Sequence, residues 1–554
     1  MRLLRFLLEC APGALAVAVG ANILSGVCTA AMLVVINAVL IGASPDATAL
    51  AVGFVSLVVV LLGARSVSAY LTFNLSHRAI LALRTRLASV ILRAPLIDLE
   101  ALRASTLLSA FTENVNVVVG ALPGIPALAL NTAILGGCFV FMIWLFPLGG
   151  AGAIGVLVFA VVAYLRLTKK AGGHFMAAQR AFDAMFGYYR AITEGIKELK
   201  LHRARRNAYY ADVFLPQAHA YRDFMFKGTV LHHAAHILIY VLILAAMGVI
   251  LFALPEGAYR RVAVGYILVL LFIGPPIETI LLWVPAFSRA NIALAEIERL
   301  HATLSSARQE ADAAPLEVRT SVSTLELRDV TFTYPHEAND REFTLGPVSL
   351  RFSRGESVFV VGGNGSGKST LAKVLCGLYH PTSGQILLDG TVVGDGNREW
   401  YREHFSVVFS EIFLFDRLAG IDPREVERRA TTYLTRLGLN RVVSVQDGMF
   451  STTALSHGQR KRLALLVAYL EDRPIYIFDE WAADQDPDFK RTFYMELIPE
   501  LRAAGKTVIV ITHDAYHDVA DRIVRLEEGR VVESVGSRDG VRVPEHMRPN
   551  GVLL

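Results

Sequence analysis

The sequence predicts a multidomain membrane protein, in which six membrane-spanning helices are followed by an α/β domain. Of the 554 residues, 53% are hydrophobic and only 19% are charged, a balance that is too apolar for a typical soluble enzyme. Long uncharged runs end near residue 288, and after residue 323 short strand-like runs alternate with amphipathic helices. We expect a transmembrane domain over residues 1–299, a polar, Ala-rich linker over 300–322 and a second domain over 323–554.

The uncharged runs locate the spans, because a helix that crosses a bilayer needs about 20 residues whose side chains tolerate hydrocarbon. Pro45 lies in the turn between the first two spans, and Pro147 to Gly150 supply the bend between the third and fourth. The predicted spans are residues 12–41, 47–73, 125–146, 150–168, 229–254 and 262–287.

Basic residues predict the orientation of these spans, because Lys and Arg accumulate on the cytoplasmic side of a membrane. They are concentrated in the connections that follow spans two and four, and only Arg260 and Arg261 occur on the opposite side. Both termini are therefore expected in the cytoplasm. Heptad-like apolar spacing in the basic connections predicts helices that continue below the membrane and contact a cytosolic domain.

Charge and cysteine usage exclude several classes of protein. A net charge of +4 is too small for this length to support binding of nucleic acid. The cysteines show no metal-ligand spacing, which argues against a disulfide framework or a zinc site, and each is expected to be a small buried apolar residue. They are Cys10, Cys28, Cys138 and Cys376.

A glycine-rich loop between a strand-like run, Val358 to Val361, and a helical pattern is the first sign of chemistry. This order is typical of a P-loop, whose backbone N–H groups and helix N-terminus bind phosphate oxygens. We expect Lys368 to reach the β- and γ-phosphates of ATP and Ser369 to ligate Mg²⁺. The loop and the first helical residues are Gly362, Gly363, Asn364, Gly365, Ser366, Gly367, Lys368, Ser369 and Thr370.

Two further predicted strands end in polar residues. Asp479 and Glu480 follow the run Ile475–Phe478, and His513 follows a strand-like run that ends at Ile511. The carboxyl ends of parallel strands share one edge of a sheet, where the phosphates would lie. Asp479 is expected in the magnesium shell, Glu480 is suited to orient and polarise the attacking water, and His513 would contact the γ-phosphate.

The segment Leu455-Ser456-His457-Gly458-Gln459-Arg460-Lys461-Arg462 resembles the signature motif of ATP-binding cassette (ABC) proteins, and it precedes the Asp479–Glu480 strand. Six spans followed by one such domain resemble an ABC exporter half-transporter over almost the whole chain. The resemblance implies a six-helix ABC exporter-type transmembrane domain followed by an α/β P-loop nucleotide-binding domain.

This resemblance also implies residue roles and a partner. Tyr334 would stack on adenine, Asp486 would lie at the dimer seam, and Ser456, Gly458 and Gln459 would meet the γ-phosphate bound by a second copy of the chain. Because the family needs two nucleotide-binding domains and this chain has one, a symmetric homodimer is expected.

Two positions depart from the usual pattern of ABC domains. Ser410, followed by Glu411, stands where most of them carry a glutamine that touches Mg²⁺, and His457 replaces the first glycine of the signature. His457 either adds a titratable contact or fills space. With the segments FDEWAADQDP and GQRKRLALLVAYLEDRPIY, these substitutions are similar to the cyclic-peptide exporter family. That similarity implies transport of nonribosomal peptides or peptide-siderophore precursors across the bacterial inner membrane.

Polar residues within the spans form a second candidate site. A kink is expected at Pro275, and Glu278 is the only acidic residue deep in span six. A carboxylate at that depth should face a polar cavity or a partner, and three histidines at the start of span five could supply one. They are His232, His233 and His236. Glu278 therefore either lines a peptide path or is an interfacial carboxylate.

The sequence thus predicts ATP-driven export of a peptide by a homodimer in a lipid bilayer. Import of a peptide siderophore on the same scaffold remains open, because it would leave every ATP-site motif unchanged. A non-transporting membrane ATPase or regulator is a third interpretation, in which ATP hydrolysis would persist without ligand flux.

Overall fold

A computed structural model of the chain describes residues 3, 5, 6, 11–42, 47–102, 104–253, 260–306, 319–334, 343–514 and 516–536. The chain forms two compact units. We call residues Met1–Ala88 and Ala104–His301 the helical unit, and residues Ser89–Arg103 and Ala302–Leu554 the sheet unit.

Long helices dominate the first part of the chain, with two one-turn π-helical segments at Ala110–Asn114 and Tyr209–Phe214. The helices are α1 (Pro12–Leu40), α2 (Ala47–Arg93), α3 (Leu96–Ala101), α4 (Ala104–Ser109), α5 (Val115–Gly120), α6 (Gly124–Leu145), α7 (Pro147–Glu194), α8 (Ile196–Leu201), α9 (Arg203–Ala208), α10 (Leu215–Ala253) and α11 (Arg260–Ser306). Within the described residues, six helical stretches are long and apolar enough to cross a membrane, and each overlaps one of the predicted spans.

Small residues let the long helices approach closely, as is usual where helices pack in lipid. A Cβ added to Gly26 of α1 would lie 2.6 Å from the Cβ of Ala133 on α6. One added to Gly137 of α6 would lie 2.4 Å from the Cβ of Ala30 on α1. Each glycine therefore permits a contact that alanine would prevent.

The last long helix differs from the predicted linker. Helix α11 continues through residues 300–306 and ends at Ser306, whereas the sequence predicts a linker from residue 300. Leu300 and Leu304 are buried, only 7% and 1% exposed, so an apolar stripe at helical spacing persists beyond the predicted boundary. Most of the remaining linker, 307–318, and Cys10 lie outside the described residues. Cys28, Cys138 and Cys376 are free and buried, as expected.

The sheet unit contains twelve strands among its described residues. They are β1 (Thr324–Thr333), β2 (Thr344–Ser353), β3 (Ser357–Val361), β4 (Ser383–Leu388), β5 (Thr391–Val392), β6 (Phe405–Val408), β7 (Val445–Gln446), β8 (Met449–Phe450), β9 (Ile475–Asp479), β10 (Thr507–Ile511), β11 (Arg522–Glu527) and β12 (Arg530–Gly536).

Two sheets organise this unit. An antiparallel sheet has the order β2-β1-β4-β5, and a six-stranded sheet has the order β12-β11-β3-β10-β9-β6. All neighbours in the six-stranded sheet are parallel except β11 and β12. In register, Ile511 of β10 pairs with Val360 of β3 on one side and with Asp479 of β9 on the other. The predicted functional strand ends therefore lie side by side.

Helices of the sheet unit cover this sheet and carry the remaining motifs. They are α12 (Lys368–Leu375), α13 (Arg398–Arg402), α14 (Pro423–Arg436), α15 (His457–Glu471), α16 (Pro487–Thr492) and α17 (Ile498–Ala503). The strands β3, β9 and β10 are almost entirely buried, so the polar residues that follow them are fixed by a packed core.

Candidate nucleotide-binding site

The loop between β3 and α12 requires its glycines. Gly367 has φ +98°, a conformation that L side chains rarely adopt, and a Cβ there would lie 2.7 Å from Cζ of Phe343. A Cβ on Gly362 would lie 2.2 Å from the carbonyl oxygen of Leu526. Asn364 and Gly365 are exposed at the tip of the loop. Among the residues that the structure describes, the buried Ser366 hydroxyl has no hydrogen-bond partner, so it is available to bind a phosphate oxygen.

Lys368 begins α12 and lies inside this loop. It is 5% exposed, and its Nζ donates hydrogen bonds of 3.0 Å to the carbonyl oxygens of Gly362 and Gly363. Burial lowers the pKa of the Lys368 ammonium, and the nearby charges of Glu480 and Asp479 oppose that change. The side chain is therefore aimed along the loop whose N–H groups would bind phosphate.

Ser369 and Asp479 form the oxygen-rich part of the site. The Ser369 hydroxyl donates to Oδ1 of Asp479 at 3.3 Å, and Asp479 is 1% exposed. Burial raises the pKa of the Asp479 carboxyl, against the opposing effect of the hydrogen bond from Ser369. A hydroxyl and a carboxylate at this distance fit Mg²⁺, which prefers oxygen ligands and is usually held by one or two protein carboxylates beside phosphates.

Glu480 has a different backbone conformation from the strand that precedes it. Its φ is +49°, and its N–H donates to the carbonyl oxygen of Ile511 at 3.0 Å. One of its carboxylate oxygens lies 3.3 Å from Nε2 of His513, and both side chains are partly exposed. The structure therefore brings His513 and Glu480 together at the edge where the sequence predicts them.

A buried lysine, Lys461, donates a hydrogen bond to the backbone of Glu480. The sequence does not single this residue out. Lys461 is 2% exposed, and its Nζ donates to the carbonyl oxygen of Glu480 at 2.8 Å and pairs with Asp484 at 2.6 Å. It stands in a run of three basic residues, which is typical of a solvated helix face. The spacing of Lys461 to Leu465 and Ala468 could have indicated its burial, because it places Lys461 on the buried stripe of α15.

The signature segment is organised by helix capping. Ser456 is the N-cap of α15 and forms a capping box with Gln459, in which each side chain accepts a hydrogen bond from the other residue's backbone N–H. The carbonyl oxygen of Gly458 accepts a hydrogen bond of 3.1 Å from Nε2 of Gln485. His457 lies 3.2 Å from the Asp484 carboxylate and is half exposed.

Asp486 connects the segment after Glu480 to the same helix. It is the N-cap of α16, accepts a hydrogen bond from the N–H of Phe489 and pairs with Arg462 of α15. The backbone hydrogen bond is the main reason that the pKa of Asp486 is lowered. The segment 481–486 is thus held against the signature helix.

Tyr334 lies beside the first turn of α12. Its hydroxyl is 3.1 Å from that of Thr370, and its ring packs edge-on against Tyr379 with centroids 5.8 Å apart. Tyr379 stacks on Phe332 and donates a hydrogen bond to Glu100 of α3. Burial and the Glu100 carboxylate both raise the pKa of the Tyr379 hydroxyl.

Helix α3, from the first cytoplasmic connection predicted by the sequence, packs on the same core. Leu96 and Ile97 contact its buried apolar residues, and Glu100 forms a 2.8 Å ion pair with Lys373 of α12. The sequence predicts that this connection contacts a cytosolic domain, but it does not single out Glu100, Lys373 or Tyr379.

The position that departs from the usual glutamine lies after β6. Ser410 is half-buried, and its neighbour Glu411 lines a groove of about 450 Å³ together with Ile412, Phe413 and Leu414. Glu411 therefore contributes a carboxyl group to the lining of this groove.

Comparison with known proteins identifies the class defined by this fold and site. The family described as ABC transporter matches residues 345–483. The ATP-binding protein SyrD of Pseudomonas syringae pv. syringae is 36% identical over 87% of this chain and 87% of its own length. An ATP-dependent lipid A-core flippase of Paraburkholderia xenovorans (strain LB400) is 27% identical over 85% of this chain and 81% of its own.

A solved structure, that of a bacterial Atm1-family ABC exporter with ATP bound, shares the fold with a TM-score of 0.69 at 20% identity, over 96% of this chain and 95% of the other. The chain belongs to the ABC transporter family. It is a multi-pass membrane half-transporter with the exporter fold and an ATP-hydrolysing domain, so the fold class and the ABC exporter resemblance predicted from the sequence are confirmed.

Proposed function

We propose that the chain forms a homodimer that uses ATP to export a peptide across the bacterial inner membrane, with both termini in the cytoplasm. The observation that carries the ATP-driven part is the convergence of Lys368, Ser369, Asp479 and Glu480 on one sheet edge. The peptide class is supported by the similarity of the signature and the segment after Asp479 to cyclic-peptide exporters. In this proposal residues 1–299 form the transmembrane domain, 300–322 the linker, whose first residues continue α11 to Ser306, and 323–554 the ATP-binding domain.

The residues of the sheet edge divide the work of hydrolysis. The backbone N–H groups of the loop from Gly362 to Gly367 and the Lys368 ammonium bind the phosphates and stabilise their developing charge. Ser369 and Asp479 would hold Mg²⁺, which neutralises phosphate charge when it is bound. Glu480 orients the attacking water and accepts its proton, and His513, 3.3 Å away, contacts the γ-phosphate.

A second copy completes the site. Tyr334 stacks on the adenine, while Ser456, Gly458 and Gln459 of the other copy contact the γ-phosphate and Asp486 lies at the seam between the copies. The capping box supports this role, because it aligns the N-terminus of α15, a natural anion-binding end of a helix. Binding of ATP would close the two copies, and hydrolysis would reset them.

The proposal is tested in inside-out membrane vesicles that contain the purified full-length chain and a fluorescently labelled cyclic peptide. We expect uptake that requires ATP and is absent in Lys368→Ala. Glu480→Gln should retain ATP binding but lose hydrolysis by about 100-fold or more, the range of general-base catalysis. Glu399→Gln, an exposed carboxylate of α13, is the matched control and should hydrolyse ATP normally.

Each alternative function gives a different outcome. ATP-dependent entry of the peptide into right-side-out vesicles would identify an importer and overturn the proposed direction. Hydrolysis without flux in either orientation would identify a membrane ATPase or regulator. Substantial residual hydrolysis by Glu480→Gln would remove Glu480 from the role of base.

A further inference from the structure

The helical unit contains a cluster of ionisable side chains between α7, α10 and α11, which we call the intramembrane cluster. Nδ1 of His236 lies 3.3 Å from Oε1 of Glu278, and its Nε2 lies 3.2 Å from Nε2 of His232. The Tyr164 hydroxyl lies 3.3 Å from the same nitrogen of His236. Tyr240, one turn after His236, lies beside the Glu278 carboxylate. His236 thus contacts Glu278 directly and His232 contacts His236, whereas the ring of His233 lies 6.2 Å from that of His232.

The cluster remains open to a ligand. The side chains of His236 and Glu278 are 24% and 34% exposed. Among the described residues, the polar contacts of Glu278 are an imidazole and a phenol, neither of which is a permanent cation. An ionised carboxylate within a span is costly to bury unless a partner of opposite charge or a polar cavity faces it. A cationic ligand would supply that partner, and the half-exposed ring of Tyr240 beside Glu278 favours the same charge.

An apolar cavity of about 330 Å³ adjoins the cluster within the same unit. Leu157, Ile243 and Ile273 line the cavity and also pack in the buried core around Tyr164 and Ile277. The Tyr266 hydroxyl in its wall is occupied, because it donates to the carbonyl oxygens of Met142 and Phe146 at 2.9 and 2.8 Å. The cavity therefore presents hydrocarbon to a ligand.

Helix geometry aligns the cluster with the cavity. On α10, His236 and Tyr240 are followed at helical spacing by Ile243 and Ile250, which line the cavity. With a rise of about 1.5 Å per residue, the distance along the helix from His236 to the cavity wall at Ala246 is about 15 Å. A ligand that fills both regions is therefore elongated, with a charged end and an apolar end.

We propose that the intramembrane cluster and the adjoining cavity bind an amphiphile that carries a protonated amine and a hydrocarbon chain. The amine pairs with Glu278, and the chain occupies the cavity between α6, α7, α10 and α11. This inference rests on the proposed export function and narrows its substrate class to an acylated cationic peptide.

Equilibrium binding to the full-length chain in phosphatidylcholine nanodiscs, without nucleotide, tests this site. The probes are dodecylamine, which is cationic at neutral pH, and dodecanol, which has the same chain without charge. We expect dodecylamine to bind at least tenfold more tightly. Glu278→Gln should reduce its affinity about tenfold and leave dodecanol binding unchanged, whereas Ala246→Phe, which fills the cavity, should weaken both. The exposed carboxylate variant Glu113→Gln is the matched control and should bind like the wild type.

Three outcomes would overturn the proposal. The first is equal affinity of the two probes, and the second is unaltered amine binding by Glu278→Gln in monodisperse, helical protein. The third is loss of dodecylamine binding in nanodiscs that contain phosphatidylethanolamine, because the site would then belong to a membrane lipid. Parallel measurement of ATP hydrolysis and vesicle uptake by the wild type separates these outcomes from a failure of the export proposal itself.

Discussion

The two regions of the ATP-binding domain that the family motifs identify are held in different ways. At the Walker edge, by which we mean Lys368, Ser369, Asp479 and Glu480, the positions are set by a glycine loop and by buried parallel strands in register. In the signature region, residues 456–462 with 481–486, the positions are set by side chains, among them Lys461, Arg462 and Gln485.

This difference determines how each region responds to substitution. A backbone-defined site tolerates changes in its surroundings, because strand pairing and loop geometry persist. A side-chain-defined site depends on single donors, and removal of a buried donor leaves its acceptor unpaired. Lys461 is the point where the two regions meet, because it belongs to the signature helix and holds the backbone of Glu480.

Substitution of Lys461 by methionine tests this difference and is expected to have the largest effect on ATP hydrolysis. The change keeps an unbranched side chain in a site that is 2% exposed but removes the donor to the Glu480 carbonyl oxygen. We expect kcat for ATP hydrolysis to fall about 10- to 100-fold, because a displacement of about 1 Å of a reacting group has effects of this size. KM for ATP should stay within about twofold of the wild type, since no phosphate contact is lost.

Lys461→Arg separates positioning from stability, because it keeps a cation and should recover part of kcat. The thermal unfolding midpoint is measured for both variants. A wild-type kcat in Lys461→Met, or a loss that Lys461→Arg does not reduce and that follows the unfolding midpoint, would contradict the positioning role.

The same distinction explains what the sequence could and could not predict. The order of strand, glycine loop and helix around Lys368, and the carboxylates after β9, are local patterns whose geometry follows from the backbone. Lys461, Glu100 and Tyr379 depend on contacts between residues far apart in the chain, such as the 273 positions between Glu100 and Lys373. The sequence does not predict the helix end at Ser306, because the composition turns polar before the buried stripe of α11 ends.

The intramembrane cluster is an intermediate case, which the sequence predicts only in part. Span composition singled out Glu278 and three histidines but could not rank the histidines. Only the rotation of α10 relative to α7 and α11 shows that His236 contacts Glu278 and that His232 contacts His236.

A second set of side-chain contacts, around Glu100, lies next to Tyr334, the residue expected to stack on adenine. Glu100 of α3 pairs with Lys373 and Tyr379, and Tyr379 packs against Tyr334. Since α3 directly follows the helix of span two in the chain, we expect Glu100→Gln to weaken coupling and not chemistry. ATP-dependent peptide uptake should fall about fivefold, within the usual range of coupling energies, with basal hydrolysis within about twofold. Asp98→Asn, a carboxylate on the same short helix, is the control and should transport normally; equal loss in both variants would contradict a specific link.

The smallest effect is expected at His457, which replaces the first glycine of the usual signature. His457 pairs with Asp484 at 3.2 Å, but both side chains are about half exposed, and Asp484 keeps its shorter contact of 2.6 Å with Lys461. Exposed pairs of this kind contribute about 0–1 kcal/mol, so His457→Ala should change kcat for ATP hydrolysis less than about threefold. Steady-state hydrolysis at saturating ATP measures this directly, with His457→Gly as the variant that restores the usual signature residue. A loss of tenfold or more in both variants would mean that the His457 imidazole acts on the nucleotide of the second copy. The signature region would then have a functional polar group, His457, in addition to its capping box and the buried Lys461.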